Sequence, residues 1–223
     1  MEDADIEDCI SRDAKAVFTN SGQTCNAPTR MLVPHKLMET AARIASRVAD
    51  NLEVGDPKKL ETDIGPLVSE AQFRRVQAYI KAGMSEGAVL ETGGTGRPAH
   101  LSLGFYTKPT VFSHVNNKMS VAQEEIFGPV LVIIGYENEQ EAVEIANDTT
   151  YGLTHYVQSG DKNRTQRMAR RLKSGMVEVN GSGRAPGSPF GGSKQSGNGR
   201  EGGYHGLMEF VEAKAVSGWT LTS

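Results

Sequence analysis

Only two cysteines, Cys9 and Cys25, occur in 223 residues, and neither stands in a Cys-x-x-Cys pair or a Cys/His set with zinc-like spacing. That scarcity excludes a disulfide-framed fold and a zinc site built on thiolates. A chain of this size needs no staple, so a disulfide between them is not expected. The five histidines (His35, His100, His114, His155 and His205) are scattered with no i,i+4 pair, and no metal is expected. No apolar run approaches the roughly 20 residues that cross a bilayer, and the acidic start MEDADIEDC is unlike a signal peptide. The cytoplasm is therefore the expected compartment, with no membrane partner. Lys and Arg form no block, and the net charge of -3 comes from interspersed acids and bases, which argues against a nucleic-acid face. There is no internal repeat, low-complexity tract or domain-separating linker.

What is present is an ordinary hydrophobic content of 38%, enough to bury a core, laid out as strand-like runs alternating with amphipathic segments. The opening MEDADIEDCISRDAKAVF approximates a helical face. MLVP reads as a short buried strand, and HKLMETAARIASRVADNL and SEAQFRRVQAYIKAGMSEG read as helices, the second with Ser69 as its cap. GGTGRPAHLSLGF is a loop, FYTKPTVFSHV an extended segment with Pro109 at an edge or bulge, and MSVAQEE a short helix. VLVIIGY, apolar almost throughout, predicts a central strand covered on both faces. Further helices are expected at NEQEAVEIANDT and KNRTQRMARRLKSG, and further strands at LTHYVQS and MVEVN. The alternation implies an α/β layered domain with a mostly parallel sheet. The tail EFVEAKAVSGWT, about 210–220, reads as one more strand, completed within the chain or across subunits.

The stretch Phe18 to Arg30, FTNSGQTCNAPTR, surrounds Cys25 with small polar residues, and Gly22 gives the backbone freedom just ahead of it. Such a loop suits the presentation of a nucleophile, and a thiolate attacks carbonyl carbon well. A lone cysteine is also, more often, a small buried hydrophobe. A thiol hydrolase would require a histidine partner for Cys25, and no histidine lies in a partner motif. The Gly197, Gly199 and Gly202 run in GNGREGG formally satisfies G-x-G-x-x-G, but it follows the loop SPFGGSKQS rather than a strand and is read as a chance match.

FTNSGQTCNAPTR resembles the catalytic-cysteine motif of the aldehyde dehydrogenase superfamily at Phe18, Asn20, Gly22, Gln23, Cys25, Ala27 and Arg30. EEIFGPV and PFGGSKQSGNGRE resemble later motifs of the same family, in the same order, so the likeness runs from about Ala4 to Trp219. It implies a three-layer αβα catalytic domain over residues 1–223, with the C-terminal strand serving oligomerisation. Cys25 becomes the nucleophile toward a small-molecule aldehyde, and NAD or NADP the cofactor. Glu125 becomes a hydrogen-bonding partner of the nicotinamide ribose, which a carboxylate suits because it accepts from both vicinal hydroxyls. Taken alone, Glu124 and Glu125 read as solvated charges at a helix end. Phe127 is implied near the cofactor, Phe190 along the aldehyde tunnel and Glu201 in a supporting shell or proton path. Gln72 and Arg75 are placed near a cofactor edge or, on their residues alone, on an exposed helix face. Arg184 either meets an anionic substrate tail or faces solvent. The likeness further implies that the cofactor domain and the general-base glutamate lie ahead of Met1, so that the isolated chain is catalytically impaired. The competing reading, from a different class, is a folded module that self-associates without turnover.

Overall fold

The run Val130–Tyr136 is apolar at consecutive positions because it is covered on both sides. In the computed structural model, which describes residues 1–220, the elements follow in the order α1 (Ile6–Phe18), β1 (Arg30–Pro34), α2 (Met38–Asp50), α3 (Glu70–Glu86), β2 (Val89–Thr92), β3 (Thr110–Ser113), α4 (Ser120–Gln123), β4 (Val130–Tyr136), α5 (Glu139–Asn147), β5 (Tyr151–Gly152), β6 (Thr154–Val157), α6 (Lys162–Arg171), β7 (Met176–Val179), β8 (Ser193–Lys194) and α7 (Gly203–Met208). The main sheet has the order β1-β4-β3-β2. Strands β1 and β3 flank β4 in parallel, while β2 closes the edge antiparallel to β3. Strands β6 and β7 make a separate parallel pair, and β5 and β8 a short antiparallel one.

Side chains on a strand alternate between faces, and β4 shows the consequence. Leu131 and Ile133 join Val111 against α1 and α2, whereas Val130, Val132 and Ile134 join Phe112 against α3 and α4. Helix, sheet and helix thus make an α/β layered domain, as the alternation implies, in the three-layer αβα form that the resemblance implies. Each fully buried aliphatic here contributes roughly 1.5–3 kcal/mol, so β4 anchors both halves of the core. A smaller cluster of Val143, Val157 and Met168 holds α5 and α6 to the β6/β7 pair.

The helices start where their sequences provide oxygen acceptors for free N–H groups. Asp5, Ser69, Asn138 and Asp161 cap α1, α3, α5 and α6 by accepting from Asp8, Gln72, Glu141 and Asn163 backbone N–H groups. Helix α3 ends at Gly87 in the left-handed region.

Three features depart from the sequence expectations. Strand β2 was not anticipated, for it is four residues long and alternates exposed with half-buried positions. The segment 210–220 pairs with no strand within the chain among the described residues, which leaves only its completion across subunits, and Phe210 and Trp219 are 87% and 73% exposed. The third is α7, six residues long, which follows the glycine run. That run comes after a two-residue antiparallel strand, β8, so it sits in no βαβ unit. No helix among the described residues is long and apolar enough to cross a membrane.

Candidate active site

Helix α1 ends at the buried Phe18, and the chain then turns through Thr19–Gly22 with three successive left-handed residues: Asn20 at φ 53°, Ser21 at φ 59° and Gly22 at φ 72°. Two of these are not glycine, so the turn stores backbone strain that the surroundings must hold. The restraints are visible. The Ser21 hydroxyl donates to Gly65 O at 2.9 Å, the Asn20 amide donates to Gln23 O at 3.0 Å, and Gln23 Oε1 accepts from Val68 N–H at 2.9 Å. Gly22 lies so close to Gly128 that a Cβ built on it would come within 2.1 Å of the Gly128 carbonyl oxygen. This contact joins the first motif to the second. The loop delivers Cys25 with its thiol exposed, while Cys9 is half-buried and both remain reduced.

Beyond the thiol, the Tyr156 hydroxyl donates to the carbonyl of Asn26, tying the loop to β6. Burial pushes the Tyr156 phenol up, with Glu178 and Asp13 adding to it, so it acts here as a neutral donor. Arg30 starts β1 with its guanidinium mostly buried, donating to Ile145 O at 2.9 Å and to Asn117 Oδ1 at 2.5 Å. Burial lowers its pKa, but it stays a cation that knits β1 to α5.

The second motif forms a loop from Glu124 to Pro129 between α4 and β4. Phe127 is itself left-handed at φ 56°, and Gly128 touches Val76, where a Cβ would come within 2.5 Å of Val76 Cγ2. Gln72 donates to the carbonyls of Ile126 and Phe127 at 2.9 and 2.8 Å, and Arg75 donates to the carbonyl of Glu125 at 2.8 Å. Gln72 and Arg75 are therefore not idle surface residues, because they hold the loop that presents Glu125. The Glu125 carboxylate is left exposed on that loop.

Cys25 and Glu125 line the same cavity of about 480 Å³. Phe190 and Glu201 lie outside its lining and instead pair with each other through a double backbone bridge, N–H to O at 2.8 Å in both directions. Phe190 is half-buried, and the exposed Arg184 places its guanidinium 5.1 Å from the Phe190 ring centroid, a cation–π contact. Phe127, 38% exposed, also falls outside the cavity lining. His35, His100, His114 and His155 are engaged with Glu137, Val54 O, Glu39 and Ala146 O respectively, and none touches Cys25. Tyr156, Gln72 and Arg75 matter to the site through contacts 50 or more residues away in sequence, which no local pattern signals.

The sequence model of the Aldehyde dehydrogenase family matches residues 1–216. A 3-succinoylsemialdehyde-pyridine dehydrogenase from a Pseudomonas species is 47% identical over 219 residues, which cover 98% of this chain and 46% of that protein. Among solved structures, a cysteine-to-alanine variant of an aldehyde dehydrogenase from Pseudomonas syringae, in complex with NAD+ and octanal, superposes at a TM-score of 0.97 with 47% identity, over 100% of this chain and 46% of that one. A Mycobacterium tuberculosis aldehyde dehydrogenase in complex with NAD+ superposes at 0.94 with 42% identity, over 99% of this chain and 46% of that one. The chain thus spans about half the length of the relatives it matches. With the family match running through the thiol loop and both later motifs, the chain belongs to the aldehyde dehydrogenase family.

Proposed function

We propose that residues 1–223 form the catalytic half of an NAD(P)-dependent aldehyde dehydrogenase, with Cys25 as nucleophile. The observation that carries this reading is the exposed Cys25 on a strained, tightly restrained loop that is locked through Gly22 and Gly128 to the loop bearing Glu125. The Cys25 thiolate adds to the aldehyde carbonyl carbon, forming the S–C bond while the carbonyl electron pair moves to oxygen, and the Cys25 backbone N–H donates to that oxyanion. NAD or NADP, when bound, supplies the acceptor for the hydride whose loss leaves a thioester on the sulfur. Water then displaces the thiolate, releasing the carboxylic acid.

The residues present fit part of that cofactor. Glu125 is an exposed carboxylate whose loop is held from behind by Gln72 and Arg75, so it is free to accept from two ribose hydroxyls. Phe127 offers an apolar surface beside it. Phe190 and Glu201 are assigned to the substrate wall and its support. The sequence holds no convincing dinucleotide fingerprint, and the family likeness implies that the general base and the side-chain amide for the oxyanion are supplied from outside residues 1–223. The isolated chain is therefore inactive or severely impaired. Joined to its complementary part, the whole enzyme would act in the cytoplasm on a small-molecule aldehyde.

The test joins this chain to the complementary part of the Pseudomonas syringae relative and follows NADH formation with octanal. Turnover in the chimera, lost in its Cys25→Ala version, is expected; turnover that survives the substitution removes Cys25 from the mechanism.

A second reading is favoured by the apolar tail. Leu207, Phe210 and Trp219 are 61%, 87% and 73% exposed, an arrangement suited to association between subunits. On this reading the 223-residue chain is a self-associating module without turnover. Sedimentation of the chain before and after removal of residues 207–223 tests it, with loss of the oligomer expected on truncation.

A further inference from the structure

Asparagine precedes glycine at two places in the chain, Asn180–Gly181 just after β7 and Asn198–Gly199 in the glycine run. Such a pair is reactive because glycine, lacking a side chain, lets its backbone nitrogen swing onto the carbonyl carbon of the preceding asparagine amide. Both asparagines are exposed, so access to water does not separate them. Hydrogen bonding does.

Asn180 sits in the left-handed region at φ 51°, with its side-chain amide clamped on the Ser159 peptide. Its Oδ1 accepts from Ser159 N–H at 2.9 Å, and its Nδ2 donates to Ser159 O at 2.9 Å. The backbone is pinned on both sides. Asn180 N–H donates to Val157 O at 2.9 Å and Ser182 N–H to Val179 O at 3.0 Å. Arg12 packs so closely on Gly181 that a Cβ there would come within 2.8 Å of Arg12 Nε. For Asn180 Cγ to meet Gly181 N, both side-chain bonds must break together.

Asn198 stands between Gly197, at φ 120°, and Gly199, in a loop whose ends are bridged at Phe190 and Glu201. Among the described residues neither its side chain nor the Gly199 N–H has a hydrogen-bond partner. A Cβ built on Gly197 meets nothing within 4 Å, and one on Gly199 meets only the Glu209 carboxyl group, at 3.9 Å. The Gly199 carbonyl is held instead: it accepts from Arg200 Nη1 at 2.8 Å and lies where a Cβ on Gly191 would come within 2.4 Å of it. Attacking nitrogen and leaving amide are thus free on a backbone that is anchored immediately beyond them.

We propose that Asn198 is a site of spontaneous deamidation, and that its product slackens the Phe190–Glu201 bridge. Gly199 N attacks Asn198 Cγ and forms the N–Cγ bond of a succinimide, while the Cγ–Nδ2 bond breaks and ammonia departs with the proton of the Gly199 amide. Water then adds to either ring carbonyl and opens the ring, leaving aspartate or isoaspartate. One water enters and one ammonia leaves, with no change of oxidation state. In isoaspartate the backbone runs through the former side-chain methylene, so the chain lengthens beside the Gly199 carbonyl, where Gly191 leaves no slack. Either product also adds a carboxylate one residue from the contact with Glu209. The conversion needs only the backbone, the amide and water, so it stands or falls apart from the dehydrogenase reading.

The test ages the 223-residue chain under mildly alkaline native conditions and, in parallel, in concentrated urea, with samples digested by trypsin over time. Cleavage after Lys173, Arg184, Lys194 and Arg200 places Asn180 in the peptide 174–184 and Asn198 in 195–200, and mass spectrometry reads amide turned to acid in each. Because two neutral hydrogen bonds guard Asn180, Asn198 is expected to convert about tenfold faster or more in the folded chain. In urea the two rates should converge. Equal rates in the folded chain overturn the proposal, as does a difference that persists in urea, where flanking sequence and not the fold would be deciding. Asn198 that stays an amide when folded but converts in urea overturns it as well. In the aged chain the Phe190 and Glu201 amides are expected to exchange about fivefold faster than when fresh, the effect of weakening one neutral hydrogen bond. Aged Asn198→Ser, which cannot close the ring, should exchange as when fresh. Unchanged exchange in the converted chain, or the same acceleration in Asn198→Ser, overturns the effect on the bridge.

Discussion

Gly22 and Gly128 touch backbone to backbone, leaving no room for a side chain on Gly22, where a Cβ would come within 2.1 Å of Gly128 O and 2.6 Å of Pro129 N. One glycine belongs to the thiol loop and the other to the loop of Glu125, so the contact fixes the spacing between nucleophile and carboxylate. Gly22→Ala must therefore both abandon φ 72° and push the two loops apart. The substitution is expected to cost about 2–4 kcal/mol, combining left-handed strain with overpacking. Urea unfolding reads the loss as a lower midpoint, and the alkylation rate of Cys25 changes with it.

That contact also marks where the sequence stops being legible. Strand β4 could be read from VLVIIGY because burial on both faces leaves a continuous apolar run, and α1, α3 and α5 because amphipathic period and cap residues agree. Strand β2 could not, since Val89 is 45% exposed and its partner β3 lies about twenty residues away across a glycine-rich loop. EFVEAKAV carries strand propensity but pairs with no strand of this chain among the described residues, and propensity without a partner forms no ladder. Within the site, the loop bearing Cys25 could be anticipated from its small polar residues, whereas Glu125, expected at a helix end, lies on the loop after α4, which stops at Gln123. The roles of Gln72, Arg75 and Tyr156 could not, because each is defined by a carbonyl that only the tertiary fold brings near.

Gln72 gives a direct measure of such a role. Its side-chain amide satisfies the carbonyls of Ile126 and Phe127 at 2.9 and 2.8 Å. Gln72→Ala is expected to destabilise by about 1–2 kcal/mol, since partly exposed carbonyls recover some hydrogen bonding from water. Gln72→Glu is expected to be worse above pH 5, where a carboxylate would face two carbonyl oxygens with no proton to offer. Thermal denaturation of the two variants at pH 5 and pH 8 checks the ordering.

His155 predicts a pH dependence with a definite sign. Burial lowers its pKa from the ordinary 6.5, with the Ala146 carbonyl bond opposing the shift and the Arg30 charge reinforcing it. The unfolded chain therefore binds a proton that the folded one refuses. The stability His155 contributes is complete above pH 6.5 and is lost as the pH falls from 6.5 toward its lower folded value. For a single proton the slope is at most about 1.4 kcal/mol per pH unit. Chemical denaturation between pH 5 and pH 7 should show this slope in the parent and a shallower one in His155→Asn.

The hydrogen bond from Tyr156 to Asn26 O offers the sharpest test of how far the thiol loop depends on β6. Tyr156→Phe keeps the ring and removes only the donor, leaving the half-buried carbonyl next to Cys25 without its partner. A net cost of about 1 kcal/mol is expected from a neutral hydrogen bond of this kind. A purely structural bond would lower stability and leave the thiol unchanged. If the bond also positions the loop, iodoacetamide should label Cys25 at an altered rate under conditions where Tyr156→Phe remains fully folded. Cys9, half-buried on α1 and lining the same cavity, is followed alongside so that a change confined to Cys25 can be told from a change in the cavity as a whole. A stability loss with an unchanged Cys25 labelling rate would confine Tyr156 to holding the fold.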